Sequence, residues 1–214
     1  MEINRIVNVI GLLVYPFGLC LLLPIWIYSI VIEKEKKLIE NMKINGLKMY
    51  NYWFINFMFN LMTYAVTVSI YYSAGYFLDL KFFVDTSPKI MLLVFLGWGL
   101  CQNAFAFFVS VFLNNSQTAS LVGYGLAIWV SIISNTLNIT AYGYPKYMPS
   151  WLTIIPNFPF SRSIYLMSHK CSYRGGCYEE FSEIQGELKD MIIAIYADAL
   201  IYMVLAIYLY QIVP

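Results

Sequence analysis

The chain has 214 residues, 60% of them hydrophobic and 12% charged, with a net charge of +1. Soluble domains carry about 25% charged residues, so this composition excludes an ordinary water-soluble fold and makes a bilayer part of the solvent. It also lacks the clustered Lys and Arg of a nucleic-acid surface, so no nucleic-acid partner is expected.

Five apolar stretches, at about 6–32, 53–77, 90–113, 117–139 and 190–213, are each long enough to cross a hydrocarbon core of roughly 30 Å at about 1.5 Å per residue. The predicted fold is all-α: a polytopic, multi-pass integral membrane protein forming one domain over 1–214. Which membrane holds it is left open. The first stretch carries no charge and is too long for the core of a cleavable signal peptide. Pro16 and Pro24 within it predict a kink or tilt.

The loop after the first span holds Lys34, Lys36, Lys37, Lys43 and Lys48, whereas the next loop holds only Lys81 and Lys89. Excess Lys and Arg favours the cytoplasm. This places 33–52 inside, 78–89 outside, the 114–116 turn inside, 140–189 outside and the C-terminus inside. Residues 33–49 carry a Glu33–Lys37 pair at helical spacing, an apolar stripe through Leu38, Met42 and Met49, and a terminating Gly46. They predict one amphipathic helix on the cytoplasmic surface, with Tyr50, Tyr52 and Trp53 marking re-entry to the membrane.

The run Glu33-Lys34-Glu35-Lys36-Lys37-Leu38, then Met42-Lys43-Ile44-Asn45-Gly46-Leu47 and Trp53-Phe54, resembles ABC transporters of the A subfamily, with their ABC-2 type membrane domain. The resemblance continues through Phe105–Phe112 and Ala119. It extends through Leu152–Leu166, with Pro156, Phe160, Arg162 and Tyr165, and on to Tyr208-Leu209-Tyr210 before Pro214. It implies that the five stretches correspond to the family's second to sixth spans, in agreement with the loop charges. It further implies that the charged helix contacts a nucleotide-binding ATPase domain, making Glu33, Glu35, Glu40, Met42, Gly46 and Leu47 coupling candidates. Complete members carry a further span and ectodomain before this point and an ATPase domain after it. No G-x-x-x-x-G-K-[ST] sequence occurs here, so the phosphate cradle of a P-loop is not in this stretch. No enzyme activity or cofactor is therefore expected of the chain itself. ATP and Mg are expected in a missing or partner domain. The chain is expected to be a fragment of a larger gene or a remnant.

Small residues recur every fourth position at Ala119, Gly123, Ala127 and Ser131. Such a stripe lets helices pack closely in lipid, or serves as a surface that slides during transport. Asn56, Asn60, Gln102, Asn103 and Asp198 are polar residues within spans. They can make interhelical hydrogen bonds or line a polar path. With no second acid or His in the spans, a proton relay is disfavoured.

Residues 140–189 are rich in Pro, Gly and aromatics. Trp151–Phe160 is apolar but too short to span, and its two prolines predict an external broken helical hairpin dipping into the outer leaflet. Cys171 and Cys177 flank a Gly-containing turn on the side expected to be oxidising, which predicts a disulfide. His169, the single His, is expected at the surface, so no metal site is expected.

The leading expectation is the transmembrane domain of an ATP-driven transporter moving lipid or another amphipathic substrate, working with an ATPase domain, a second transmembrane half and membrane lipid. The alternative is a non-transporting scaffold or orphan fragment that associates with other membrane helices through the small-residue stripe. A secondary permease and a membrane hydrolase lack the inverted repeats and the acidic or His-based clusters they would need.

Overall fold

A computed structural model describes residues 16–173 and 176–212. Among these residues every regular element is helical, without strands. Five helices are long and apolar enough to cross a membrane: Pro16–Glu35, Met49–Phe77, Pro88–Val111, Ser116–Thr140 and Glu187–Ile212.

The first span consists of a helical turn at 16–20 and α1 (Leu22–Glu35). Residues 6–15 of the stretch read from sequence lie outside the described residues. Pro24 cannot donate a proton to the Cys20 carbonyl four residues back. Gln102 of the third span supplies that proton instead: its Nε2 lies 3.3 Å from Cys20 O and 3.0 Å from Leu19 O. A polar residue in one span thus satisfies the backbone that proline leaves open in another.

The amphipathic helix expected over 33–49 is not one element. α1 runs on through Glu35. Lys37 then takes a left-handed conformation (φ 54°) and turns the chain. Only α2 (Leu38–Ile44) is a separate surface helix. Its end has a definite cause. Gly46 N–H bonds Lys43 O and Leu47 N–H bonds Met42 O, with Gly46 at φ 87°. This is a Schellman cap, in which a left-handed residue closes the last turn. Met42 and Leu47, the apolar pair that accompanies such a cap, both pack on one cluster with Ile39, Trp53 and Phe107. The Met-x-x-x-Gly-Leu spacing is the sequence form of that cap.

α3 (Met49–Phe77) starts four residues earlier than the span read from sequence. Tyr52 and Trp53, expected at an interface, are buried against the other helices, whereas Tyr50 is exposed. After α4 (Lys81–Val84), α5 (Pro88–Val111) opens with proline in its first turn, where the missing N–H costs nothing. α5 is the central pillar: 67% of its most apolar window is buried, against 17% for α3. The fourth span comprises α6 (Ser116–Gly125), a π-helical segment (Leu126–Val130) and α7 (Ser131–Thr140).

The 140–189 segment is more ordered than a hairpin confined to 151–160. A 3-10 turn (Ser150–Ile154) breaks at Pro156 into α8 (Asn157–Tyr173), a full-length helix wedged between α7 and α9 (Glu187–Ile212). α8 buries Ser161, Arg162 and Ser163, so it presents no continuous apolar run to a sequence reading. Phe160 anchors it by stacking on Trp98 of α5 with centroids 4.5 Å apart. α9 lies along α5, and α1 packs on α5 and α6.

Candidate functional site

Three consecutive charged residues at the end of α1 reach three different helices. Tyr52 Oη of α3 donates to Glu33 Oε2 at 2.6 Å. Lys34 Nζ donates to Val111 O at the end of α5, at 3.2 Å. Glu35 Oε2 accepts from Ser116 N at the start of α6, at 2.8 Å. The signs follow the helix dipoles: a cation meets the carbonyls that end α5, and an anion meets the free N–H groups that begin α6. Asn115 caps α6 as well, its Oδ1 accepting from Gln117 N at 2.8 Å. Residues Glu33–Glu35 are therefore hydrogen-bonded to α3, α5 and α6 together.

α2 hangs from this clamp. Its inner face sits on the Trp53–Phe107 cluster, where the two rings stack at 4.9 Å and Tyr210 of α9 meets Trp53 edge-on. Lys43 lies 5.6 Å from the Tyr210 ring centroid. Glu40 and Ile44 face outward, Ile44 being 82% exposed. Of the six coupling candidates, Glu33 and Glu35 belong to the clamp, and Met42, Gly46 and Leu47 to the cap. Glu40 alone is on the free face. Lys34 and Ser116, which complete the clamp, were not singled out from sequence; the tight Asn-Asn-Ser turn was the signal for Ser116.

The polar residues inside the spans do not line one path. Cys101, Gln102 and Asn103 are successive residues of α5, each turned about 100° from the last. Cys101 lies beside Asp198 of α9. Gln102 reaches α1. Asn103 bonds α3 twice, accepting from Asn60 Nδ2 at 3.0 Å and donating to Phe57 O at 2.9 Å. Asn56 bonds only Tyr52 O within its own helix. Asp198 is 8% exposed. Gln102 and the Asn60–Asn103 pair tie α5 to the first span and to α3, as polar side chains do in lipid.

The small-residue stripe is also turned inward. Ala119, Gly123, Ala127 and Ser131 are all buried. A Cβ added at Gly123 would stand 2.7 Å from Pro24 Cα, so glycine is what allows α6 to lie on α1. Beyond the π segment a polar network takes over. Asn157 Nδ2 donates to Ser131 Oγ at 3.0 Å, Cys20 Sγ donates to Asn157 Oδ1 at 3.3 Å, and Ser134 and Ser161 hydroxyls pair at 3.0 Å. It ties α8 to α1 and α7. Cys20 thus has a hydrogen-bonding partner.

The largest surprise of the 140–189 segment is Arg162, fully buried. Its Nε and Nη2 engage Glu187 Oε1 and Oε2, both at 2.9 Å, and Nη1 and Nη2 donate to Tyr142 O and Lys146 O at 2.6 Å. Met148 N donates to Glu187 Oε1 at 2.8 Å. One arginine thus binds α8 to the start of α9 and to the 142–148 loop. Cys171 and Cys177 are joined by a disulfide. His169 stacks on Tyr144 at 4.9 Å. Among the described residues no group of His, Cys, Asp and Glu could hold a metal ion.

A five-span helical bundle of this composition, bound together across its charged loop, defines an integral multi-pass membrane protein. The chain belongs to the ABC-2 family of transporter proteins, whose family model matches residues 2–210. It is 32% identical over 98% of its length to "ABC transporter A family member 7" of Dictyostelium discoideum, of which it covers 24%. It is 31% identical over 98% of its length to "ABC transporter A family member 9" of the same organism, covering 25%. It is 25% identical over 97% of its length to "ABC transporter A family member 8" of Arabidopsis thaliana, covering 24%. The chain thus spans about a quarter of the length of these relatives.

Proposed function

We propose that this chain is the transmembrane domain of an ATP-driven transporter that moves lipid or another amphipathic substrate. In this reading a nucleotide-binding domain outside the chain binds ATP and Mg and presses on the α2 side of the bundle, which faces the cytoplasm. A second transmembrane half completes the path. The observation that carries the reading is the Glu33-Lys34-Glu35 clamp, which joins the surface helix to three spans at once. A loop that merely set topology would need no such connections. The scaffold alternative draws no support from its stripe, because Gly123 is already packed on this chain's own Pro24.

The experiment uses the polypeptide at its native length, purified into liposomes with a fluorescent phospholipid. Glu35→Ala and Glu40→Lys should leave the protein folded and its basal ATP hydrolysis in place while lowering ATP-driven lipid movement several-fold. Transport at the unmodified rate in both variants would overturn the coupling role. A purified native polypeptide of about 24.8 kDa with no ATPase attached or co-purifying would overturn the motor-driven reading.

A further inference from the structure

α3 is held to its neighbours at two places and stands away from α5 between them. At one end Asn60 pairs with Asn103, and the Tyr64 ring lies over Gly99, with Tyr64 Oη donating to Phe95 O at 2.7 Å. At the other end the Phe83 ring of α4 fills the notch at Gly75. The gap between is a groove of about 570 Å³, lined by residues from Leu61 to Tyr72 on α3 and from Pro88 to Leu96 on α5. A second groove of about 360 Å³ shares Pro88, Leu92 and Leu96 and adds Lys89, Leu93 and Phe181. Pro88, Leu92 and Leu96 are spaced four apart, so they form one ridge of α5 with an apolar groove on either flank.

From this geometry we propose a binding site for one glycerophospholipid, its two acyl chains straddling the Pro88–Leu92–Leu96 ridge and its phosphate at Lys89. The leaflet is the one on the side of the 78–87 loop. Charge and length both support this occupant. Lys89 has no ion-pair partner among the described residues and stands at the membrane end of the ridge, where an ammonium attracts phosphate. From Leu61 to Tyr72 the groove wall runs about 16 Å along α3, close to the roughly 15 Å depth of one leaflet's hydrocarbon. Of the three hydroxyl groups in the groove walls, those of Tyr64 and Ser69 spend their protons on Phe95 O and Ala65 O. A helix about 10 Å across does not enter a gap pinned shut at both ends, whereas an acyl chain does. The site goes beyond the transport reading and stands whether or not that reading does, since it requires only that these helices lie in a bilayer.

The test is photolabelling of the native-length protein in phosphatidylcholine nanodiscs containing a minor share of phosphatidylglycerol with a diazirine on its acyl chain. Mapped adducts should concentrate on Met62, Ala65 and Leu92, well above Leu200, which is just as exposed but lies on α9. Ala65→Trp, at an exposed position that tolerates bulk, should abolish groove adducts, and Leu200→Trp should leave them unchanged. Lys89→Glu should reduce them about fivefold or more, the worth of one surface cation near lipid phosphate. Labelling of Met62 and Leu200 in equal measure overturns the site, as does indifference to Lys89→Glu. Absence of groove adducts while Leu200 labels overturns it too, because another helix then fills the space.

Discussion

Arg162→Met removes four hydrogen bonds at once, two of them in a bidentate pair with Glu187. Arg162 is fully buried, and the Glu187 side chain keeps 11% of its surface. Losing one partner of such a pair strands the other charge, which costs about 3–5 kcal/mol. The carbonyls of Tyr142 and Lys146 lose their donors as well. For a domain of this size that loss corresponds to a fall of about 6–20 °C in melting temperature. Glu187→Met should cost a similar amount, because it strands the guanidinium. The double variant should cost clearly less than the sum, since removing both charges removes the stranded one. Thermal unfolding of the four proteins in one detergent measures the cycle. A single-variant loss under about 1 kcal/mol, the typical effect of a point mutation, would refute the assignment of Arg162 as the link between α8, α9 and the 142–148 loop. So would losses that simply add.

Gly46→Ala should cost about 1–2 kcal/mol through its left-handed backbone alone, because no atom lies within 4 Å of the added Cβ; Gly46→Asn should cost less, and the same melts compare them. Gly123→Ala should cost about 1–3 kcal/mol by overpacking against Pro24, and a Gly123→Ala protein as stable as the parent would show that α6 does not rest on α1. Asn103→Leu should cost about 0.6–1.7 kcal/mol, the range of interhelical hydrogen bonds in lipid, and a double variant with Asn60→Leu should not double that loss. Lys170 donates to Glu183 and holds that carboxyl below its ordinary value of 4.5. The folded state thus binds this proton less readily than the unfolded one, so the pair's contribution is present above that value and fades as pH falls below it. Limited proteolysis of the 176–186 segment on either side of that pH should show the change, and Glu183→Gln should remove it.

The five spans were legible because a bilayer imposes a length and a polarity that composition alone reveals. Their ends were not. α1 and α3 both extend beyond their apolar cores because Glu33, Lys34 and Glu35 find partners on other helices, and no local pattern announces a partner distant in sequence. α8 escaped for the same reason. Its Arg162 and Ser161 look like loop residues until Glu187, Tyr142 and Ser134 are placed around them. The Met42-Gly46-Leu47 cap was legible as a motif but not as a boundary. Glycine marked the stop of α2, while the left-handed Lys37 that separates α2 from α1 left no compositional trace, since lysine is an unusual residue for that conformation.

The polar residues of the spans teach a related point. Read along the chain, Asn56, Asn60, Gln102, Asn103 and Asp198 offered either interhelical hydrogen bonds or a polar path. In three dimensions a helix turns about 100° per residue, so neighbours such as Cys101, Gln102 and Asn103 serve different partners. Gln102 is the clearest case. Its place is set by Pro24, which leaves the Cys20 carbonyl without its helical donor. The proline and the glutamine form one feature divided between two spans, and the Pro24 that needs Gln102 on one side is the residue Gly123 makes room for on the other. α1 is thereby fixed to α5 and α6 near its start by Pro24 and at its charged end by Glu33–Glu35.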